Sequence, residues 1–265
     1  MSVDGASRLP LDADDVQLWL VDYAEIDDPA LLAAYRGLLT PDEIAQEPKF
    51  FFARDRLRYL VTRALVRSVL SRYLPVDPRD WVFGTNLYGC PHAVNAEAVS
   101  KGVSFNLSHT HSLISLAISR GRAVGVDVEN HGAREVPISV ADRYFSPREV
   151  ADLLAAPATE RQYRFFEYWT FKESYIKARG MGLSLPLDGF GFRYPDPGRV
   201  EIEIAPELGD LPQRWHFRQF RPAPEYLLAL CVERTRPRPP VLTIRHTVPL
   251  VEERALALEV LRASE

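Results

Sequence analysis

Apolar residues recur in this chain with two periods, and the two alternate along its length. Val16-Gln-Leu-Trp-Leu-Val-Asp22 reads as a buried strand. Ala30 to Leu39 reads as a short helix. Thr40-Pro41-Asp42-Glu43 starts another, with Thr as N-cap, Pro in the first turn and Glu at the capping-box position. From Ala53 to Leu74 the residues Leu57, Leu60, Val61, Leu65, Val69 and Leu70 make one face of a long helix, and six arginines make much of the rest. Trp81 to Pro91 reads as a strand and a turn. Period two then takes over in Val103–Ser108, Leu113–Ile118 and Ala123–Glu129. After Asn130 the order repeats. Ser146-Pro147-Arg148-Glu149 is a second capping box, followed by a helix near Val150–Ala155 and a long one near Arg161–Arg179. Strands follow at Phe190–Tyr194, Val200–Ile204, Trp215–Phe220 and Tyr226–Val232.

Strand, Ser/Thr-Pro-x-Glu, long helix and strand pair thus occur twice, about 110 residues apart. The repeat predicts an α+β chain of two similar α/β halves related by a pseudo-twofold, with a site in the cleft between them. The expected organisation is a flexible tail over 1–15, an N-terminal half over 16–122 and a C-terminal half over 123–233. Residues 234–265 form a Pro-rich linker, Arg234-Thr-Arg-Pro-Arg-Pro-Pro240, and a C-terminal appendage. In the appendage Val241–Thr247 reads as a strand and Leu250–Ala263 as a short amphipathic helix.

Composition narrows the function. The chain has 265 residues, 46% of them hydrophobic, which is enough for a large core. A net charge of -4 argues against general nucleic-acid binding. Cys90 and Cys231 lie too far apart for a zinc or disulfide framework, and Cys231 sits in the apolar run Leu227–Val232, as a core side chain would. No basic-then-apolar leader and no membrane-length run is present, so a cytoplasmic location with no membrane partner is expected. Only four of the 32 basic residues are lysines, and two of the four, Lys172 and Lys177, fall within six residues. Lysine brings a compact, rotatable charge that guanidinium does not mimic.

Two stretches carry the candidate chemistry. In Val124-Gly-Val-Asp-Val-Glu129, alternation sends the three valines to one face and Gly125, Asp127 and Glu129 to the other. Two carboxylates at i and i+2 repel unless a cation lies between them, and hard oxygen donors suit Mg²⁺. In the long helix, Trp169, Glu173 and Lys177 share one stripe, so Glu173 makes a third carboxylate. Glu173 and Lys177 also fit an ordinary i,i+4 surface pair, but that reading leaves Asp127 and Glu129 without a counter-charge.

Phe105-Asn-Leu-Ser-His109, Val124–Glu129 and Trp169-Thr-Phe-Lys-Glu-Ser-Tyr-Ile-Lys177, in that order, resemble the Sfp-type 4′-phosphopantetheinyl transferases over roughly residues 16–232. The resemblance implies the two-half fold and Mg²⁺-dependent transfer of phosphopantetheine from coenzyme A to a serine of an acyl or peptidyl carrier protein, with Mn²⁺ as a possible substitute metal. The other product is adenosine 3′,5′-bisphosphate. It implies Asp127, Glu129 and Glu173 as metal ligands, Glu173 and Lys177 as catalytic groups, and Ser108, His109, Lys172 and Lys177 as coenzyme contacts. Arg54 and Arg58 stand nearest to where the family binds the 3′-phosphate. Fatty-acid, polyketide and nonribosomal peptide carriers are all compatible partners, and a monomer suffices because each half completes the site. The sequence departs from the family at Cys90, where a lysine is usual, and in the acidic run from Pro41 to Pro48. The alternative is a non-catalytic homologue that binds coenzyme A or a carrier.

Overall fold

The computed structural model describes residues 8–265, and its elements fall into two runs of the same order. The first comprises β1 (Asp15–Asp22), α1 (Pro29–Arg36), α2 (Pro41–Gln46), α3 (Ala53–Ser71), β2 (Phe83–Thr85), β3 (Pro91–Ala93), α4 (Ala96–Lys101), β4 (Val103–His109) and β5 (Leu113–Arg120). The second comprises β6 (Val124–Asn130), α5 (Ala141–Tyr144), α6 (Pro147–Ala155), α7 (Arg161–Arg179), β7 (Phe190–Arg193), β8 (Glu201–Ile204), β9 (Trp215–Arg221) and β10 (Tyr226–Glu233). β11 (Val241–Val248), β12 (Glu252–Ala255) and β13 (Glu259–Ala263) end the chain.

In each run the opening strand pairs antiparallel with the closing strand of the hairpin, giving β1-β5-β4 in one sheet and β6-β10-β9 in the other. The capping boxes repeat in structure as well as in sequence. Thr40 and Glu43 cap α2, and Ser146 and Glu149 cap α6. Each capping glutamate then receives a buried cation from the following long helix: Arg67 at 2.7 Å from Glu43, and Lys172 at 2.9 Å from Glu149.

Strand alternation divides the interior into three apolar layers. Trp19 and Val21 of β1 join α3, while Val16, Leu18 and Leu20 face the second sheet. Val124, Val126 and Val128 of β6 and Leu228, Leu230 and Val232 of β10 complete that middle layer. Leu227, Ala229 and the expected core residue Cys231 face α7. Each valine or leucine so buried contributes about 1.5–3 kcal/mol. A one-residue slip of β6 would therefore be costly, and it would also carry Asp127 and Glu129 into the apolar layer.

Where the two sheets meet, side chains replace the missing backbone ladder. Asn106, Ser108 and Thr110, at alternate positions along and just beyond β4, accept hydrogen bonds from the backbone N–H groups of Val126, Val128 and Asn130 at 2.9, 3.3 and 3.1 Å. Edge amides that would otherwise be buried unpaired are satisfied. This stitching sets Ser108 directly against Asp127.

Two expectations are corrected. Residues 1–7 of the expected tail lie outside the described residues, but 8–14 are anchored. Leu9 and Leu11 pack on the first core, and the Leu9 N–H donates to the Arg72 carbonyl at 2.7 Å. The C-terminal residues form strands throughout, with no helix over 250–263. β11 runs parallel beside β1, β12 extends that sheet, and β13 pairs with β9 in the other. The last residues thus close the open side of both sheets and are integral to them. Among the described residues, no helix is long and apolar enough to cross a membrane.

Candidate active site

The site is built where α7 crosses β6. Gly125 permits the approach: a Cβ there would lie 2.0 Å from the Ser174 carbonyl oxygen and 2.4 Å from the Ala178 nitrogen. With no side chain between them, the Trp169–Glu173–Lys177 stripe comes down on the Asp127–Glu129 face, as the two periodicities predict. The Lys177 ammonium donates to Asp127 Oδ1 at 2.7 Å, to Ser108 Oγ at 3.0 Å and to the Val126 carbonyl at 3.2 Å. The Ser108 hydroxyl donates to the same Asp127 oxygen at 2.8 Å. Lys177 therefore reaches across to the strand instead of forming a surface pair with Glu173. Asp127 Oδ2 is buried with no hydrogen-bond partner among the described residues.

One ammonium does not balance three carboxylates. Burial, and then the nearby Asp127, push the Glu129 carboxyl up to about 7, against weaker opposition from Arg134, Lys177 and the Trp169 indole. Burial and Asp127 also raise Glu173, with Lys177 opposing. Among the described residues no three His, Cys, Asp or Glu side chains already enclose a metal position. The donor set nevertheless suits a hard divalent cation. All its donors are oxygens, one of them buried and unpartnered, and burial and the Asp127 charge raise the neighbouring carboxyls above their ordinary range.

These shifts give a pH prediction. In metal-free buffer, Glu129→Gln should be more stable than the parent at about pH 8 and lose that advantage below about pH 5. The folded Glu129 carboxyl keeps its proton to about 7, against 4.5 ordinarily. Between those values the folded state binds more protons than the unfolded, so its stability is present at low pH and falls as pH rises. Glutamine has no such proton. Thermal melts that stay parallel for the two proteins across this range would defeat the assignment.

The other expected residues divide. His109 stands solvent-exposed at the mouth, where the surrounding protein, and then the Arg58 guanidinium, hold its imidazole below the ordinary value. Arg58 pairs with Asp55 at 3.1 Å at the start of α3, and Arg54 is exposed with its guanidinium 5.2 Å from the Phe52 ring centre. The acidic run before them is largely engaged: Glu43 pairs with Arg67 and Glu47 with Arg36. Beyond His109 an open groove is lined by His111, Ser112, Asn130 and Tyr226.

Lys172 does not belong with the coenzyme contacts. It points to the other side of α7, is 0% exposed, and donates to the Leu187 and Phe190 carbonyls at 2.8 and 2.6 Å besides pairing with Glu149. Lys172→Met should cost about 3–5 kcal/mol, because it leaves the Glu149 carboxylate buried without its cation. Urea melts would read the loss, with KM for the coenzyme unchanged in the folded fraction. A raised KM at unchanged stability would restore the ligand role.

Two contributors were missed in the sequence. Asn86 shapes the turn that holds Cys90: its Oδ1 accepts from the Tyr88 and Cys90 N–H groups, and its Nδ2 donates to the Gly180 carbonyl at 2.8 Å, tying the turn to the end of α7. Thr110 is the last of the β4 stitches. Their cross-links, Asn86 to Gly180 and Thr110 to Asn130, join residues far apart in sequence, which no local pattern shows.

Residues 123–231 match the 4′-phosphopantetheinyl transferase superfamily, and residues 29–120 match the N-terminal region of a 4′-phosphopantetheinyl transferase. The two matches meet at the turn between β5 and β6. The chain is 36% identical to the 4′-phosphopantetheinyl transferase HetI of a Nostoc species over 230 residues, 79% of this chain and 95% of that one. It is 32% identical to the 4′-phosphopantetheinyl transferase Sfp of Bacillus subtilis over 197 residues, 74% and 83% respectively. A crystal structure of the Thermotoga maritima holo-[acyl-carrier-protein] synthase overlaps in part, with a TM-score of 0.36 at 23% identity, covering 43% of this chain and 64% of that one. By the sequence relatives, the chain belongs to the 4′-phosphopantetheinyl transferase family.

Proposed function

We propose that this transferase moves the 4′-phosphopantetheine arm of coenzyme A onto a serine hydroxyl of an acyl or peptidyl carrier protein, releasing adenosine 3′,5′-bisphosphate. The observation that carries the reading is the unpartnered Asp127 oxygen, set among two glutamates whose carboxyls are raised above the ordinary range and one lysine. Asp127, Glu129 and Glu173 are the residues that would hold Mg²⁺ or Mn²⁺. Such an ion, when bound, supplies charge neutralisation to the pyrophosphate.

Phosphoryl transfer asks a protein mainly for alignment and charge stabilisation. Lys177 supplies a fixed ammonium for charge developing on the leaving bisphosphate. His109, exposed, offers a hydrogen bond, Ser108 holds Asp127 and Lys177 in register, and Arg54 and Arg58 offer positive charge for the 3′-phosphate. Glu173, held above the ordinary carboxylate range, accepts the proton of the attacking serine. The nucleophile belongs to the carrier.

The test is intact-mass measurement of an apo carrier incubated with this enzyme, coenzyme A and Mg²⁺, with and without a chelator. A gain of one phosphopantetheine arm that the chelator blocks supports the proposal. Coenzyme binding with no gain on fatty-acid, polyketide or peptide carriers would favour the non-catalytic alternative.

A further inference from the structure

Lys177 lies in the last turn of α7, which ends at Arg179. Helix ends fray, because their last carbonyls lack intrahelical donors. An ammonium that must stay fixed against a pyrophosphate is poorly placed on a fraying turn, since a displacement of about 1 Å can cost on the order of 10²-fold in rate. Some hold is local: the Gly180 N–H donates back to the Lys177 carbonyl at 3.1 Å, and Asn86 reaches the Gly180 carbonyl from the first half. The larger hold comes from Asp210, in the connection between β8 and β9.

The Asp210 side chain is 1% exposed and takes five donors. Its Oδ1 accepts from the Leu211 N–H at 2.9 Å and from Arg214 at 3.4 Å. Its Oδ2 accepts from the Trp215 indole N–H at 2.8 Å, and from the Tyr175 hydroxyl and the Arg179 guanidinium at 2.7 Å each. Burial alone would raise this carboxyl, yet Tyr175, Trp215, the Leu211 N–H and Arg179 together hold it below the ordinary value, so it is ionised. Leu211, Arg214 and Trp215 are close neighbours in sequence and already satisfy both oxygens. The other two donors come from α7. Tyr175 and Arg179 stand one turn apart on one face of that helix and are bonded to each other at 2.8 Å. Lys177 lies between them in sequence and points the other way, to Asp127 on β6.

We propose that Asp210 is a positioning residue for the transfer: by gripping Tyr175 and Arg179 it fixes the rotation of the last turn of α7, and with it the place of the Lys177 ammonium. It acts through Lys177 and touches no substrate. The inference rests on the role given to Lys177 under the proposed function. Asp210 ties the end of α7 to the start of β9 on one side, while Asp127, Ser108 and the Val126 carbonyl receive the ammonium on the other.

The test is a double-mutant cycle in single-turnover transfer to an apo carrier, with amide hydrogen exchange measured on the same proteins. Asp210→Asn should slow transfer about 10–100-fold per folded molecule, and in a Lys177→Met background it should change the rate less than about twofold, because the residue it acts through is gone. Amides of residues 175–180 should exchange at least about tenfold faster in Asp210→Asn, with those of 165–172 as protected as in the parent. If Asp210→Asn does not fold, Tyr175→Phe, which removes one donor and keeps the ring, should show the same pattern at about 3–10-fold. A purely structural Asp210 would lower the urea midpoint, leave the rate per folded molecule unchanged and give an additive cycle; any active parent that behaves so overturns the proposal. Unchanged exchange over 175–180 does the same. A parent that binds coenzyme A and transfers nothing would remove the reading of Lys177 itself, and the proposal with it.

Discussion

Glu173→Gln should leave the chain folded and lower the transfer rate on the order of 10²–10⁴-fold, the usual contribution of a positioned proton acceptor. The side chain keeps its size and loses only its charge and basicity. Its stability effect should be neutral or favourable, because burial and Asp127 already press the carboxyl toward its neutral form. Lys177 would not be orphaned, since its ammonium is held by Asp127, Ser108 and the Val126 carbonyl. A structural role predicts the reverse: activity kept, and at most about 0.2–0.5 kcal/mol lost with a surface helix pair. Single-turnover transfer to an apo carrier, measured beside a thermal melt, separates the two. Full transfer in the variant would remove Glu173 from the machinery.

What the sequence made legible follows from the range over which each signal acts. The strand β6 and the helix α7 could be read because period two and period 3.6 place Asp127, Glu129, Glu173 and Lys177 on faces without reference to anything distant. Lys172 could not be separated from Lys177 by composition. Its position off the Glu173–Lys177 stripe was a local hint, but its partner Glu149 sits in the cap of another helix, and that pairing is tertiary. The C-terminal residues misled for the opposite reason. Leu250 to Ala263 is rich in Ala, Leu, Glu and Arg, which favour helix locally. The free edge of β9 and the end of β11 offered backbone partners that local propensity does not see, and β13 and β12 formed there. Asn106, Ser108 and Thr110 were visible as alternate polar positions, but their partners were not.

The repeat explains why the site is one-sided. Both halves contain a capping glutamate neutralised by a cation from the long helix, so that pair is part of the scaffold in each. Only the second half adds a glycine in its opening strand facing its helix, and that glycine lets side chains from α7 and β6 meet. Ser108 comes from the first half, brought in by the β4 stitching. Neither half holds the whole set, which is the physical content of placing the site in the cleft.

Gly125→Ala is accordingly expected to be among the most damaging single changes in the chain. The added methyl would meet backbone atoms at 2.0 and 2.4 Å, and neither can rotate away. Overpacking a core commonly costs about 1–3 kcal/mol, and here relief requires that α7 move as a body. Gly121→Ala is the matched control. Its φ of 66° strains any other residue by roughly 1–2 kcal/mol, yet nothing lies within 4 Å of the new Cβ. Soluble yield and urea midpoints should fall much further for Gly125→Ala than for Gly121→Ala. Any Gly125→Ala that folds should also be inactive, because displacing α7 stretches the 2.7 Å Lys177–Asp127 contact and withdraws Glu173 from the strand. Equal losses in the two variants would mean that the close crossing of α7 over β6 is not what holds the site together.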